Sequence, residues 1–189
     1  MNDPDARTAA VERAYRDHAA DLYRLAFGIL RDQEAASDAT QVAFARAFER
    51  WAQYDPSLPL LPWLHGIVAH EALDVLRRRR VRWIAAGNVA VRDSAGSGDR
   101  DLASRIVERS AVDAALAELK PTARAVILLR HLYGYGYAEI GQLLGTSPGN
   151  VGVLLTRAHA TLRQVLSEAD PPPTVPGTPT TTRHIEEPR

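Results

Sequence analysis

Apolar residues in this chain recur at three- and four-residue steps over most of its length, the spacing of one face of an α-helix. Val11, Tyr15, Ala19, Leu22, Ala26 and Ile29 predict a long amphipathic helix, roughly Ala9 to Leu30. Arg31-Asp32-Gln33 breaks it. Phe44, Phe48 and Trp51 then form the apolar stripe of a second helix, from about Glu34 to Trp51. Asp38, Gln41, Ala45 and Glu49 share a neighbouring, more polar stripe; at ~100° per residue they lie within about a quarter of the circumference. Pro56, Pro59 and Pro62 make Tyr54 to Pro62 a loop, because proline removes backbone donors and fixes φ. Pro62 also suits the first turn of a third helix. Trp63, Ile67, Leu73 and Leu76 face inward along that helix, which runs into Arg77-Arg78-Arg79-Arg80.

Periodicity fails between Ala85 and Arg100, where glycine and serine gather, and this reads as a flexible linker. Helix resumes near Asp101 with Ile106, Val112, Leu116 and Leu119 inward. Lys120-Pro121 ends one helix and starts another, carrying Val126, Leu129 and Leu132 to the turn Gly134-Tyr135-Gly136. After Asp170 a proline- and threonine-rich stretch predicts a disordered tail. No strand pattern of any length occurs. The expected architecture is all-α: a helical domain over 9–82, a linker over 83–100, a second helical domain over 101–168 and a tail over 169–189.

The stretch Tyr137 to Leu166 carries the sharpest local signals. Ile140, Leu143 and Leu144 give a short helix one apolar face, Gly136 can cap its start, and Glu139 is placed to reach back to the Gly136 amide. Gly145 sits where a helix ends through a left-handed residue. Ser147 and Pro148 read as the cap and first residue of the next helix. Val151, Leu154, Leu155, Ala158, Leu162 and Leu166 are its buried stripe. Two helices on so tight a turn are a helix-turn-helix, with small Gly141 allowing the close approach. In that motif the second helix enters the major groove.

Composition narrows the function. The 189 residues are 46% hydrophobic and 24% charged, as in a globular protein. There is no cysteine, which excludes disulfides, thiolate metal sites and cysteine nucleophiles. No apolar run approaches the roughly 20 residues of a membrane span, and no signal-peptide core opens the chain, so a cytoplasmic protein without membrane insertion is expected. Net charge is zero, with 23 basic and 23 acidic residues. Charge is nevertheless patterned: five arginines in the six residues 77–82 exceed what a helix dipole needs and suit phosphate. Catalytic chemistry is not in view. His65 and His70 miss the i, i+4 pairing of a helical zinc site. There is no phosphate-binding glycine loop and no nucleophile elbow. No metal, cofactor or catalytic set is expected.

Two helical modules, one ending in arginines and one in a helix-turn-helix, resemble the extracytoplasmic-function (ECF) group of sigma-70 RNA polymerase sigma factors. The resemblance covers about Val11 to Arg82 and Val112 to Leu166. It rests on Asp38-Ala39-Thr40-Gln41-Val42-Ala43-Phe44, Trp63-Leu64-x-x-Ile67 and Asp74-x-x-Arg77-Arg78 in the first module. In the second it rests on Leu119-Lys120-Pro121, Tyr137-Ala138-Glu139-Ile140, Gly145-x-Ser147-x-Gly149-x-Val151 and Arg157-Ala158.

The resemblance implies an alternative sigma factor that binds core RNA polymerase and promoter DNA, with an anti-sigma factor as a further partner. Asp38, Gln41, Ala45 and Glu49 would dock on polymerase. Tyr54 and His70 would lie near the captured −10 strand, and Arg77, Arg78, Arg79 and Arg80 would hold its phosphates. Ser147, Gly149, Asn150, Gly152, Val153, Thr156 and Arg157 would face the −35 element. This chain departs from the family pattern at Val42, usually acidic, and at His70, usually asparagine. It departs again at Gly152, Leu154 and His159, where basic residues are common. The alternative is a two-domain helix-turn-helix regulator that does not bind core polymerase; it leaves Asp38, Gln41, Phe44 and the Trp63-to-arginine run unexplained.

Overall fold

A computed structural model describes residues 4–86 and 111–169. The linker beyond residue 86, the helix start expected near Asp101, and the tail from residue 170 lie outside the described residues. Within them there are seven α-helices and no strand. They are α1 (Pro4–Leu30), α2 (Gln33–Glu49), α3 (Leu60–Ala85), α4 (Ala111–Ala117), α5 (Pro121–His131), α6 (Tyr137–Leu144) and α7 (Pro148–Ala169).

The break between α1 and α2 is made by two adjacent residues. Arg31 turns the chain through a left-handed conformation, φ 58°. Asp32 is extended and accepts the Ala35 N–H at 3.0 Å, capping α2. That bond, together with Arg79, holds the Asp32 carboxyl below its usual range. Helix α1 begins a turn earlier than its apolar stripe suggests, since a proline followed by Asp5 suits a first turn. Helix α2 stops at Glu49, and Trp51 falls in a 3₁₀ turn over Trp51–Gln53. Helix α3 runs past the arginines to Ala85, beyond the expected boundary at 82, because nothing before Gly87 breaks it.

In the first module α1, α2 and α3 all pack on one another. The stripe of α2 differs from the aromatic one expected. Its fully buried row is Ala36, Ala39, Ala43 and Ala47, with Phe44 beside it, while Phe48 and Trp51 are half-buried. Small side chains let α2 lie close on α1 and α3, whose Leu22, Leu25, Leu64 and Val68 are buried in the same core. In the second module α7 packs on α4, α5 and α6. Val112, expected inward, is exposed; Ala115 and Leu119 carry the buried side instead.

The two modules share one continuous core. Helix α5 lies on α1, and α6 lies on α3. Glycine makes both approaches possible: a Cβ at Gly28 would sit 2.6 Å from Leu128 Cδ1, and one at Gly66 would sit 3.3 Å from Leu143 Cδ2. Polar groups stitch the seam. The Tyr133 hydroxyl donates to the Asp21 carbonyl at 3.0 Å, His65 Nδ1 lies 2.9 Å from the Tyr135 hydroxyl, and Arg31 pairs with Asp113 at 2.9 Å.

Arg124, fully buried, is the most connected of these groups. It donates to the carbonyls of Leu116 (2.7 Å), Ala117 (3.0 Å) and Leu119 (2.9 Å) and, across the seam, to Ile29 (2.7 Å). Burial, with Arg31 nearby, pushes its pKa down to about 10, which leaves it charged at neutral pH.

Candidate nucleic-acid interface

The helix-turn-helix forms as its punctuation predicts. Glu139 Oε2 accepts the Gly136 N–H at 2.6 Å, and Gly145 ends α6 at φ 63°, ψ 37°. The Thr146 N–H then returns to the Gly141 carbonyl at 2.8 Å. A Cβ at Gly141 would sit 2.7 Å from the Thr146 carbonyl oxygen, so only glycine fits that turn as it stands. Ser147 Oγ caps α7 by accepting the Asn150 N–H at 3.2 Å. Val151, Leu155 and Ala158 are buried, and Ile140 of α6 is fully buried in the same core.

With that side buried, Ser147, Gly149, Asn150, Val153, Thr156 and Arg157 are all exposed, and Gly152 is half-buried. Three of these residues already hold local bonds. The Ser147 hydroxyl caps, the Asn150 amide donates to Thr146 Oγ1 at 2.8 Å, and the Thr156 hydroxyl donates to the Gly152 carbonyl at 3.0 Å. A Cβ at Gly152 would rest 3.6 Å from the Tyr137 ring, an ordinary contact. His159, one of the positions where the chain departs from a basic residue, faces His131 of α5 with Nε2 atoms 2.9 Å apart. Burial, His159 and Arg130 together hold the His131 ring below the usual imidazole range.

The arginine run divides into two kinds. Arg78 Nη2 lies 2.8 Å from Oε1 of Glu71, a buried carboxylate. Arg46 Nη2 lies 2.8 Å from its other oxygen, as a charge contact rather than an aligned hydrogen bond. Arg79 pairs at 3.0 Å with Asp32, the cap of α2. Arg79 thus fastens α3 to the start of α2, while Arg78 braces Glu71 of its own helix, which Arg46 of α2 also meets. Arg77 pairs with Asp74 one turn back at 3.0 Å and is mostly exposed. Arg80 and Arg82 are exposed and have no carboxylate partner among the described residues. A cleft of 360 Å³ lined by Asp38, Arg78, Arg79 and Arg82 joins this run to the start of α2. On α2 itself Asp38, Gln41, Ala45 and Glu49 are all exposed, as is Val42.

Tyr54 is brought into an aromatic group with Trp51 and Trp63, at ring-centroid distances of 5.4 Å and 5.2 Å. Its hydroxyl donates to the Leu58 carbonyl at 2.6 Å, closing the loop on itself. Trp63 also lines a second cleft, of 210 Å³, with Arg46, Arg50, Ile67 and His70 of the first module and Gln142 and Leu143 of α6. His70 is exposed, and its Nδ1 contacts the Gly66 carbonyl at 2.8 Å. Cations, aromatic faces and an imidazole around one cleft are the groups a single strand uses for backbone and base contact. The periodicity of the chain hid His65, Arg124, Tyr133 and Tyr135, which lie at the seam between modules. The one signal in the sequence was the run Ala-Arg-Ala-Val-Ile around Arg124, too apolar to have an outer face.

Comparison with known proteins brings the two modules together. The family model for Sigma-70 region 2 matches residues 14–82, and that for Sigma-70, region 4 matches residues 109–162. The chain is 30% identical over 168 residues to the RNA polymerase sigma factor CarQ of Myxococcus xanthus, covering 88% of this chain and 94% of CarQ. It is 31% identical over 157 residues to the ECF RNA polymerase sigma factor SigM of Mycobacterium tuberculosis, covering 83% of this chain and 77% of SigM. Among solved structures, the sigma factor RpoE of Bartonella quintana, in complex with the anti-sigma factor NepR, aligns with TM-score 0.65 at 19% identity over 82% of this chain and 96% of RpoE. CnrH, in complex with the cytosolic domain of CnrY, aligns with TM-score 0.59 at 24% identity over 86% and 90%. Those two likenesses concern the fold.

Proposed function

This chain belongs to the extracytoplasmic-function group of sigma-70 RNA polymerase sigma factors, and we propose that it binds core polymerase in the cytoplasm and directs it to promoters through the surfaces described above. The exposed stripe Asp38, Gln41, Ala45 and Glu49 docks on polymerase. The observation that carries this assignment is the contrast across α2: that stripe is exposed, while the alanine row behind it is fully buried. Tyr54 and His70, with Trp63 and Arg50 beside them, meet the −10 strand. Arg77 and Arg80 supply phosphate contacts; Arg78 and Arg79 contribute mainly by fixing where α3 ends. Gly149, Asn150, Val153, Thr156 and Arg157 face the −35 element, with Ser147 and Gly152 at the edge of that surface. The protein contributes binding and positioning, and no catalysis of its own.

Both modules cannot serve a promoter while packed as they are. Elements named for positions about 25 base pairs apart lie ~85 Å apart on B-form DNA. The seam holds α6 directly against the Gly66–His70 stretch of α3. Loading on polymerase and DNA therefore parts α6 from α3. An anti-sigma protein, as NepR is for RpoE, would act by keeping the pair together or covering the stripe.

The test is Asp38→Arg in a pull-down with purified core polymerase. The substitution is on an exposed surface and should leave the fold intact, while core affinity drops at least tenfold. Unchanged affinity would remove the stripe from the polymerase interface. Helix-turn-helix binding to DNA without any affinity for core would favour the regulator reading.

A further inference from the structure

We propose that His131 and His159 form a binding site for a divalent transition-metal ion, open to solvent, on the outer face of the α5–α7 pair. His131 is the last residue of α5, and His159 lies in the second half of α7. Both residues are exposed, and their Nε2 atoms lie 2.9 Å apart with the rings inclined at 66°. Imidazole nitrogens bind such ions at about 2.0–2.1 Å. Two of them at right angles around one ion stand ~2.9 Å apart, whereas a tetrahedral pair stands ~3.3 Å apart. The observed separation is close to what two imidazoles need to share one such ion, whichever geometry it takes.

The surroundings leave room for the ion. Arg130, the nearest cation in sequence, donates to the Tyr135 carbonyl at 3.0 Å and lies over the Tyr137 ring. Among the described residues no third carboxylate, histidine or cysteine completes the group. Water would fill the remaining positions, and the ion would exchange with solvent rather than stay as a fixed structural part. Without metal, one ring donates its Nε2 proton to the other. With metal, both lone pairs converge on the ion and tie the end of α5 to the middle of α7. The helix proposed to face DNA then gains an attachment besides its apolar side.

The test uses tag-free full-length protein and nickel chloride, with zinc chloride in parallel. Equilibrium dialysis should show one equivalent of nickel lost in His131→Gln and in His159→Gln, and retained in His18→Gln. The melting midpoint of the wild type should rise by ~5 °C at a hundredfold excess over the dissociation constant. Neither variant should show that rise, though both should melt like the wild type in chelator. Zinc binding should depend on the same two histidines. Equal stoichiometry in wild type and both variants would overturn the site. So would nickel binding without a rise in midpoint, because an ion on one histidine does not join two helices.

Discussion

Among the groups that respond to acid, the buried side chain of His65 should have the largest effect on stability. The ring is fully buried in α3, 2.9 Å from the Tyr135 hydroxyl and with its centroid 4.1 Å from that of Tyr133. Burial, opposed by Asp21 and aided by His18, lowers its pKa from 6.5 to about 4. Tyr133 and Tyr135 are pushed up to about 12, so both stay neutral across the acid range. The folded pKa is depressed, so the unfolded chain binds the proton more tightly. The stabilisation is complete above pH 6.5 and disappears as pH falls toward 4. At about 1.4 kcal/mol per unit, the folded state loses roughly 3 kcal/mol over that window. His65→Asn keeps a polar atom near Nδ1 and cannot titrate there. Urea unfolding of both proteins at half-unit steps from pH 7 to pH 4 isolates the effect, since carboxylates such as Asp32 contribute equally to the two curves. The wild-type curve should fall toward that of the variant by roughly 3 kcal/mol. Parallel curves would mean that His65 is hydrated or already protonated in the folded protein.

Two further outcomes follow from the same geometry. Arg80→Gln should reduce open-complex formation with an unchanged melting midpoint; Arg79→Gln should also lower the midpoint by a degree or two, since its partly exposed pair with Asp32 is worth under about 1 kcal/mol, and identical melts for the two would dissolve the distinction. Gly141→Ala should cost about 1–3 kcal/mol, because its Cβ meets the Thr146 carbonyl, whereas Gly149→Ala, with only Ser147 Oγ at 4.0 Å, should be neutral or slightly stabilising; equal midpoints in thermal melts would show that the turn relaxes freely.

Local punctuation carried most of the fold. Gly136, Glu139, Gly145 and Ser147 each do in the structure what their order along the chain suggests, because caps and turns depend on residues within one helical turn. The exposed stripe of α2 was legible for a related reason: helical geometry fixes which residues share a face. The alanine row behind it was harder to see, since alanine reads as neutral and only a close neighbour makes it core. Arg79 is harder still. Its partner Asp32 is 47 residues away, and no spacing rule reaches that far. His65 and Arg124 were missed on the same ground, because their meaning lies in the seam between the modules and neither module's own pattern contains it.

Arg124 gives that seam an unusual relation to salt. Its charge is answered by four carbonyl dipoles with no carboxylate among them. Mobile ions screen exposed charges over about 8 Å at physiological strength, and they reach buried dipoles far less. Phosphate contacts weaken steeply as salt rises. Rising ionic strength therefore weakens contacts to nucleic acid while sparing the Arg124 bonds that cross the packed seam. Salt would thus favour the closed arrangement of the two modules over one spread along DNA.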